Sequence, residues 1–377
     1  MAVLVTPVRS KSELRAFVNF PWTVYRGDPA WVPPLTSEVR KLLAPTHPFH
    51  RHAETELFLA RRDGRVTGRI SACVNRAHLA VHDDGAGFWG FFECGDDPES
   101  AAALFDAAGR WLAERGMRTM RGPCSFSTNE ECGLLVEGFD RPPTFMMPHN
   151  PPRYAALVEG CGFAKARDLW AWFVDRPAFS PPEKMWRVAN RMREREGITV
   201  RPVDMSRVDR ELQLLREVYN GAWQKNWGFV PMTAEEFDVV AADFRRIVRP
   251  ELLLFAEVQG KPAGFSLSLP DYNFILKKLN GSLFPFGWLT WLLNARKIPG
   301  IRYITMGILP EYQRRGIDAI FYLETMERGL ALGYQWCEMS WILEDNAVMN
   351  NTIEAFGAKR SKVYRLYERP LAQPSGG

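Results

Sequence analysis

Residues Tyr303 to Ala319 read YITMGILPEYQRRGIDA. The apolar, β-branched run Ile301–Leu309 predicts a strand that stops at Pro310. A short polar turn follows, Glu311 to Gly316, and then Ala319, Leu323, Met326 and Leu330 recur at helical spacing. The unit is strand, tight turn, helix. Such a turn aims several backbone N–H groups and the positive end of a helix dipole at one point, which suits a phosphate. Gln313, Arg314 and Arg315 favour an anion there, while Asp318 competes with it. A plain helix start with a solvated arginine pair reads the same residues without any ligand.

Outward from this unit, the second half predicts a strand at Ile198–Val203, a helix at Asp209–Trp223, and a capping box, Thr233 with Glu236, opening a helix toward Arg249. Strands at Glu251–Val258 and Pro262–Leu269 form a hairpin around Gln259-Gly260. A strand at Trp336–Ile342, a helix at Asn346–Phe356 and a strand at Ser361–Glu368 close the chain. The first half runs in the same order. It has a strand at Leu4–Pro7, a helix at Ser12–Asn19, a hairpin Glu56–Arg61 and Arg65–Val74 around Asp63-Gly64, and a strand at Gly87–Cys94. Asp97-Pro98 caps a helix that ends at Gly116. A strand at Met120–Phe126, a Gly- and Pro-rich loop Ser127–Pro148, a short helix opened by Asn150-Pro151-Pro152 and ending at Gly162, and a strand at Leu169–Val174 complete it. The repetition argues for an internal duplication. Its expected boundaries are residues 1–176 and 198–377, joined by a proline-bearing linker and charged helix over 177–197.

At 377 residues the chain has material for two cores, and the 46% apolar to 24% charged balance is that of a globular protein. A net charge of +4, scattered along the chain, argues against nucleic acid as a partner. The six cysteines form no C-x-x-C pair and fit buried free thiols in a reducing compartment; the six histidines form no metal-like cluster, so no metal is expected. The first residues lack an apolar core long enough for a signal peptide. A cytoplasmic protein is the expectation.

The turn Gln313-x-x-Gly316 in its strand-to-helix setting resembles the phosphate loop of the GNAT acyltransferase superfamily, and Asn346-Ala347 with Phe356-Gly357-Ala358 is similar to that family's next helix. In the first half Cys161-Gly162-Phe163 fits the same segment. The resemblance implies an α/β (α+β) fold of two tandem GNAT-like domains, each a mixed, mostly antiparallel sheet flanked by helices. It implies acyl-coenzyme A, acetyl or longer, held by Ile308, Leu309, Gln313, Arg314, Arg315, Gly316 and Asn346. Two departures stand out: Asp318 replaces the usual Gly or Ala, and Ile353 replaces the Tyr that often acts as acid. The first half has Asp96 and Asp97 where a pyrophosphate would approach, so that half is expected to be degenerate toward the donor.

N-acylation needs a neutral amine, hence a base and donors for the developing oxyanion. Glu93 is the first candidate, since it ends an apolar aromatic strand where burial raises a carboxyl pKa. His149 and Tyr154, near the start of the short helix, are further catalytic candidates. Asn129, Glu130 and Asn150 are candidate substrate contacts, as are Trp227, Phe284, Trp288 and Trp291. Each also has a plain structural reading as a turn former, loop residue or packed aromatic. The stretch Phe274–Ile298 (FILKKLNGSLFPFGWLTWLLNARKI) is too short in its apolar part to span a bilayer, but its cations and tryptophans suit a peripheral contact with an inner membrane surface. Overall organisation is also similar to the tandem-domain relatives that include bacterial ceramide synthases. That implies an acyl-coenzyme A-dependent N-acyltransferase with a small-molecule or lipid amine, such as a long-chain amino alcohol, as acceptor between the halves. The alternatives are an acetyltransferase of a small polar amine and a non-catalytic lipid- or protein-binding module.

Overall fold

The computed structural model describes residues 2–223 and 226–372. Its strands are β1 (Leu4–Pro7), β2 (Ala53–Arg62), β3 (Arg65–Asn75), β4 (Ala86–Cys94), β5 (Thr119–Gly122), β6 (Cys124–Ser125), β7 (Glu131–Cys132), β8 (Leu134–Glu137), β9 (Ala164–Asp175), β10 (Ile198–Pro202), β11 (Leu253–Val258), β12 (Lys261–Pro270), β13 (Gly300–Ile308), β14 (Trp336–Leu343) and β15 (Lys359–Pro370). Its helices are α1 (Lys11–Asn19), α2 (Pro21–Val24), α3 (Thr36–Leu43), α4 (Arg76–His82), α5 (Pro98–Ala113), α6 (Tyr154–Gly160), α7 (Glu183–Glu196), α8 (Val208–Ala222), α9 (Ala234–Ile247), α10 (Asn273–Leu279), α11 (Gly287–Asn294), α12 (Ile317–Ala331) and α13 (Ala347–Ala355).

Two compact units form. One holds the chain through Leu169, with Asn273–Leu293 and the chain from Lys362; the other holds Trp170–Tyr272 and Asn294–Ser361. This division differs from the sequence boundaries at 177 and 198. β9 runs unbroken past Leu169, and both the insert after β12 and the last strand pack with the first unit. The physical reason lies in β15, whose Val363, Tyr364, Leu366 and Tyr367 are buried and whose register is set by β5 and β8.

In the first unit the strand order is β1-β2-β3-β4-β5-β15-β9, with β8 also on β15 and a separate β6-β7 ladder. The hairpin turn sits at Asp63 (φ 51°) and Gly64 (φ 76°), the left-handed pair that matches strand twist. α5 begins where Asp97 accepts from the Ser100 amide, and its Leu104, Phe105, Ala108 and Leu112 join a core with Ile70, Ala72, Trp89 and Phe92. The second unit runs β9-β14-β13-β12-β11-β10, with a matching turn at Gln259 (φ 52°) and Gly260 (φ 75°). Both units are thus mixed, mostly antiparallel sheets flanked by helices. The Ser127–Pro148 loop differs from expectation in holding β7 and β8, and Met120–Phe126 is two pieces, β5 and β6.

Each unit has a parallel pair, and each of these pairs is short. β4 matches β5 only over Ala86–Phe88, and β13 matches β14 only over Gly300–Tyr303. Beyond those residues the ladders stop, and in the first unit β4 instead packs closely on Cys124 and Ser125, where the Phe91 amide donates to Ser125 Oγ at 3.3 Å. β4 also carries a bulge, where register shifts between Arg69 and Ser71 and Phe91 takes φ 49°. The bulge re-aims the strand end that bears Glu93.

Candidate active site

In the first unit, the bulged end of β4 sets the Glu93 carboxylate inside the protein, 8% exposed. The Tyr154 hydroxyl donates to its Oε2 at 2.8 Å and the Tyr25 hydroxyl to its Oε1 at 3.2 Å, while Arg69 Nη2 lies 3.8 Å away. Burial pushes the Glu93 carboxyl up to about 7, against the pull of Arg69 and the two phenols. Both phenols are raised well above their ordinary value, first by burial and then by Glu93 itself. Arg69 is lowered by burial, although Glu93 acts to raise it; its Nη1 donates to the Phe17 carbonyl at 2.8 Å. Glu93 and Tyr154 were sequence candidates for catalysis, and Tyr25 and Arg69, which the fold brings to them, were not. The available signal for Arg69 was a cation set inside the buried run Gly68–Asn75 of β3.

Beside this cluster opens a cleft of 390 Å³ lined by Asp28, Pro29, Ala30, Phe139, Asp140, Pro142, His149 and Pro152. Glu93 and Tyr154 do not line it; His149 does. The His149 Nε2 pairs with Asp28 Oδ2 at 2.9 Å, and its Nδ1 is buried with no hydrogen-bond partner among the described residues. Burial lowers the His149 pKa despite the raising effect of Asp28, so the ring is neutral near pH 7. For Asp28, burial alone would raise the carboxyl; His149 and the Ala30 and Trp31 amides outweigh it and bring the carboxyl below its usual value. Tyr25 links cleft and cluster, its hydroxyl 2.9 Å from the His149 carbonyl. The Trp22–Pro34 passage fixes Tyr25, which stacks on Trp31 at 4.8 Å, with Trp22 edge-on to Trp31 at 5.2 Å. Asp28 and Asp140 were not among the sequence candidates, because Asp28-Pro29 reads as loop punctuation until the fold brings His149 to it.

In the second unit, β13 ends at Ile308, Leu309 leads into the turn, and α12 starts at Gly316, which has φ 75° and provides no side-chain cap. The contrast with α5 is direct, since Asp97 closes that helix start and is itself held by Arg62 at 3.0 Å. An uncapped helix start after a left-handed glycine presents amide donors and the positive dipole end, which fits a pyrophosphate. Of the two arginines, Arg315 is engaged by Glu196 at 3.4 Å and by the Glu311 carbonyl at 3.1 Å. Arg314 (φ 62°) is exposed and makes no hydrogen bond or ion pair with the described residues. Gln313 turns back, its Nε2 donating to the Ile308 carbonyl at 3.3 Å.

The other candidates are scattered. Asn346 caps α13 by accepting from the Met349 amide, so its side chain is engaged in structure. Ile353 is fully buried, leaving no polar atom on α13 where an acid would stand. Asn150 is buried and bonds the Leu135 amide and carbonyl, which makes it a brace rather than a surface contact. Asn129 and Glu130 lie half-buried in a turn closed on Ser127. Trp227 is half-buried in the second unit; within Trp223–Pro231, residues 224 and 225 lie outside the described residues. Phe284 and Trp288 are exposed and Trp291 is half-buried, all on the insert. The cysteines are free thiols, and burial pushes those of Cys94, Cys124 and Cys337 up to about 12. Among the described residues no group of three or more His, Cys, Asp or Glu side chains is placed to hold a metal, and no helix is long and apolar enough to cross a membrane.

Two units of this topology, each with a parallel pair that parts midway and one with an open glycine-led helix start, define a tandem GNAT-type fold. A solved tandem GNAT protein from the clavulanic acid biosynthesis pathway matches over 99% of this chain and 100% of its own, with a TM-score of 0.58 and 12% identity, which speaks for the fold alone. Bacterial ceramide synthase of Caulobacter vibrioides is 39% identical over 375 residues, 97% of this chain and 97% of that protein. Protein YghO of Escherichia coli K12 is 39% identical over 376 residues, 98% of this chain and 95% of that protein. No model of a known protein family matches the chain. The chain belongs to the family of these two full-length relatives, and its fold is that of the tandem GNAT proteins.

Proposed function

We propose that the chain moves an acyl group from acyl-coenzyme A to the amine of a long-chain amino alcohol, taken from a lipid surface through residues 274–298. The observation that carries the acceptor reading is the first unit's cleft, where two carboxylates and a neutral imidazole are set among apolar walls. That combination suits a cationic headgroup on an apolar stem. Its 390 Å³ lies within the range of about 300–1,000 Å³ typical of small-molecule pockets. The relative named for ceramide synthesis supports the same class, since a ceramide is an N-acylated long-chain amino alcohol.

An aliphatic amine arrives protonated, as a lysine-like pKa near 10 dictates. Asp28 and Asp140 attract the ammonium, and the neutral imidazole of His149, which lines the cleft, takes one proton. Asp28 on Nε2 fixes the tautomer and stabilises the imidazolium that forms, the familiar division of labour in Asp–His pairs. The freed amine attacks the thioester carbonyl, and as the C–N bond forms and the C–S bond breaks, the nitrogen's second proton passes to the departing thiolate, which leaves as the thiol. The Gln313–Gly316 turn and the α12 start hold the donor's phosphates, and acyl-coenzyme A, as donor substrate, supplies the activated carbonyl. Glu93, sealed behind Tyr25, supports the His149 backbone through that phenol and does not meet the amine.

Turnover of the purified protein with palmitoyl- and acetyl-coenzyme A, against a long-chain amino alcohol and a short polyamine, tests the reading. His149→Asn should lower turnover about a hundredfold and remove the acidic limb of the kcat/KM profile. Glu93→Gln should cost far less. If Glu93→Gln abolishes turnover in a folded protein and His149→Asn spares it, the base is Glu93. Acetylation of the polyamine alone would move the protein to small polar amines.

A further inference from the structure

We infer that Leu283–Leu293, with its flanking cations, is a monotopic docking surface for an anionic lipid bilayer. α11 reads GWLTWLLN, and none of its residues is buried. Among the described residues, the large apolar side chains left in solvent concentrate here: Phe284 at 83%, Phe286 at 72%, Leu292 at 68%, with Leu293, Trp288 and Leu289 beside them. Singly scattered exposed apolar residues are ordinary; a contiguous set on one short segment is not. Gly287, Thr290, Trp291 and Asn294, at i, i+3, i+4 and i+7, form the half-buried face of this helix, and Trp288, Leu289, Leu292 and Leu293 form an apolar face turned to solvent.

Charge selects the occupant. Between Asp271 and Glu311 the chain contains no carboxylate, while Lys277, Lys278, Arg296 and Lys297 are exposed and Arg302 is buried. A dimer face or a neutral protein partner gives no reason for a stretch of this length to exclude every acidic residue. Anionic headgroups do, since each basic residue at a membrane surface adds attraction and each acidic one removes it. Trp288, exposed on this face, is of the type that settles at the headgroup level.

Anchorage completes the argument. α10 and the turn after it are fastened to the first unit: Asn273 Nδ2 donates to the Pro143 carbonyl at 2.8 Å, Trp22 Nε1 to Asn280 Oδ1 at 3.0 Å, and the Thr36 amide to the Gly281 carbonyl at 3.0 Å. Lys277 bonds the carbonyl of Pro29, itself a wall of the acceptor cleft. The anchored part of the insert therefore adjoins the cleft rim, and the exposed apolar side chains follow directly after it in the chain. A bilayer under the patch places lipid amines next to Asp28 and Asp140.

The inference deepens the lipid reading of the cleft, but vesicle binding requires neither donor nor turnover, so the two fail separately. Full-length protein is sedimented with phosphatidylcholine vesicles carrying increasing phosphatidylglycerol, at low and high salt. Binding should rise with the anionic fraction and fall with salt. Replacing Phe284, Phe286, Trp288 and Leu292 by Ser should reduce it about tenfold or more, with unchanged thermal unfolding because those side chains are exposed. Arg296→Glu with Lys297→Glu should flatten the dependence on anionic lipid. Absence of binding at every composition overturns the inference, as does equal binding to neutral and anionic vesicles. A wild-type dimer that the four serines dissociate, with no vesicle binding, would instead assign the face to a second copy of the chain.

Discussion

Glu93 keeps its proton to about pH 7 because the water that would solvate its charge is excluded, and Arg69, Tyr154 and Tyr25 only partly make up the loss. An unfolded glutamate titrates near 4.3, so between roughly pH 4.5 and 7 the folded protein binds more protons than the unfolded chain. Stability from this group is complete below the unfolded pKa and is lost as pH rises through 7. Glu93→Gln, neutral throughout, should therefore be favoured over the unmodified protein increasingly across that window, by at most on the order of 3 kcal/mol above pH 7. Urea unfolding of both proteins at pH 5 and pH 8 measures it. His149, depressed by burial, has the opposite sign as pH falls through its ordinary value, but it is common to both proteins and cancels in the difference. A pH-independent gap would show that Glu93 stays ionised. At this scale the sequence exposes Glu93 through its aromatic strand, whereas its partners come from α2's end, β3 and α6, which no local pattern connects. Asp28 and His149, 121 positions apart, meet for the same reason.

Between elements, α5 and α12 hold matching places in the repeated order of elements, and their first turns differ. Asp97 fills the anion position of α5 with its own carboxylate and is fixed there by Arg62. Gly316 leaves the start of α12 open, and Arg314 is the cation beside it with no hydrogen bond or ion pair to the described residues. Arg314→Glu should weaken coenzyme A binding about tenfold or more, the usual scale of a lost charge-assisted contact. Arg315→Glu would be less clean, since it also sets a carboxylate against Glu196. Calorimetry with coenzyme A reads the effect, and an unchanged affinity for Arg314→Glu would remove the phosphate assignment from this turn. The caps and hairpins that frame these helices were legible because Asp97-Pro98, the Thr233–Glu236 box, Asp63-Gly64 and Gln259-Gly260 act within a few residues. β7 and β8 were not, since β8 is specified by β15, more than 200 residues later.

For the molecule as a whole, the repeated order of elements suggests two successive domains, yet the first unit is finished only by the last strand. Tyr367–Pro370 pair with Gly122–Thr119, and Val363–Arg365 pair with β8. Arg365 holds Asp168 at 2.8 Å, and Arg369 donates to the Cys161 carbonyl at 2.7 Å. Val363, Tyr364, Leu366 and Tyr367 are each 2% exposed or less. Burying such side chains contributes about 1.5–3 kcal/mol each, so four of them approach the 5–15 kcal/mol by which a typical domain is stable at all. A chain ending at residue 197 lacks these side chains and exposes the edges of β5 and β8. That fragment should not unfold cooperatively, and its apolar surface should bind a hydrophobic dye. Co-expression with residues 198–377 should restore a complex with a cooperative thermal transition, because the missing strand can be supplied in trans. Deleting only residues 362–377 from the full chain should reproduce the defect of the short fragment. A cooperative melt for residues 1–197 alone, at the temperature of the intact protein, would mean that the first unit does not depend on β15 and that the boundary near residue 177 read from the sequence is the energetic one.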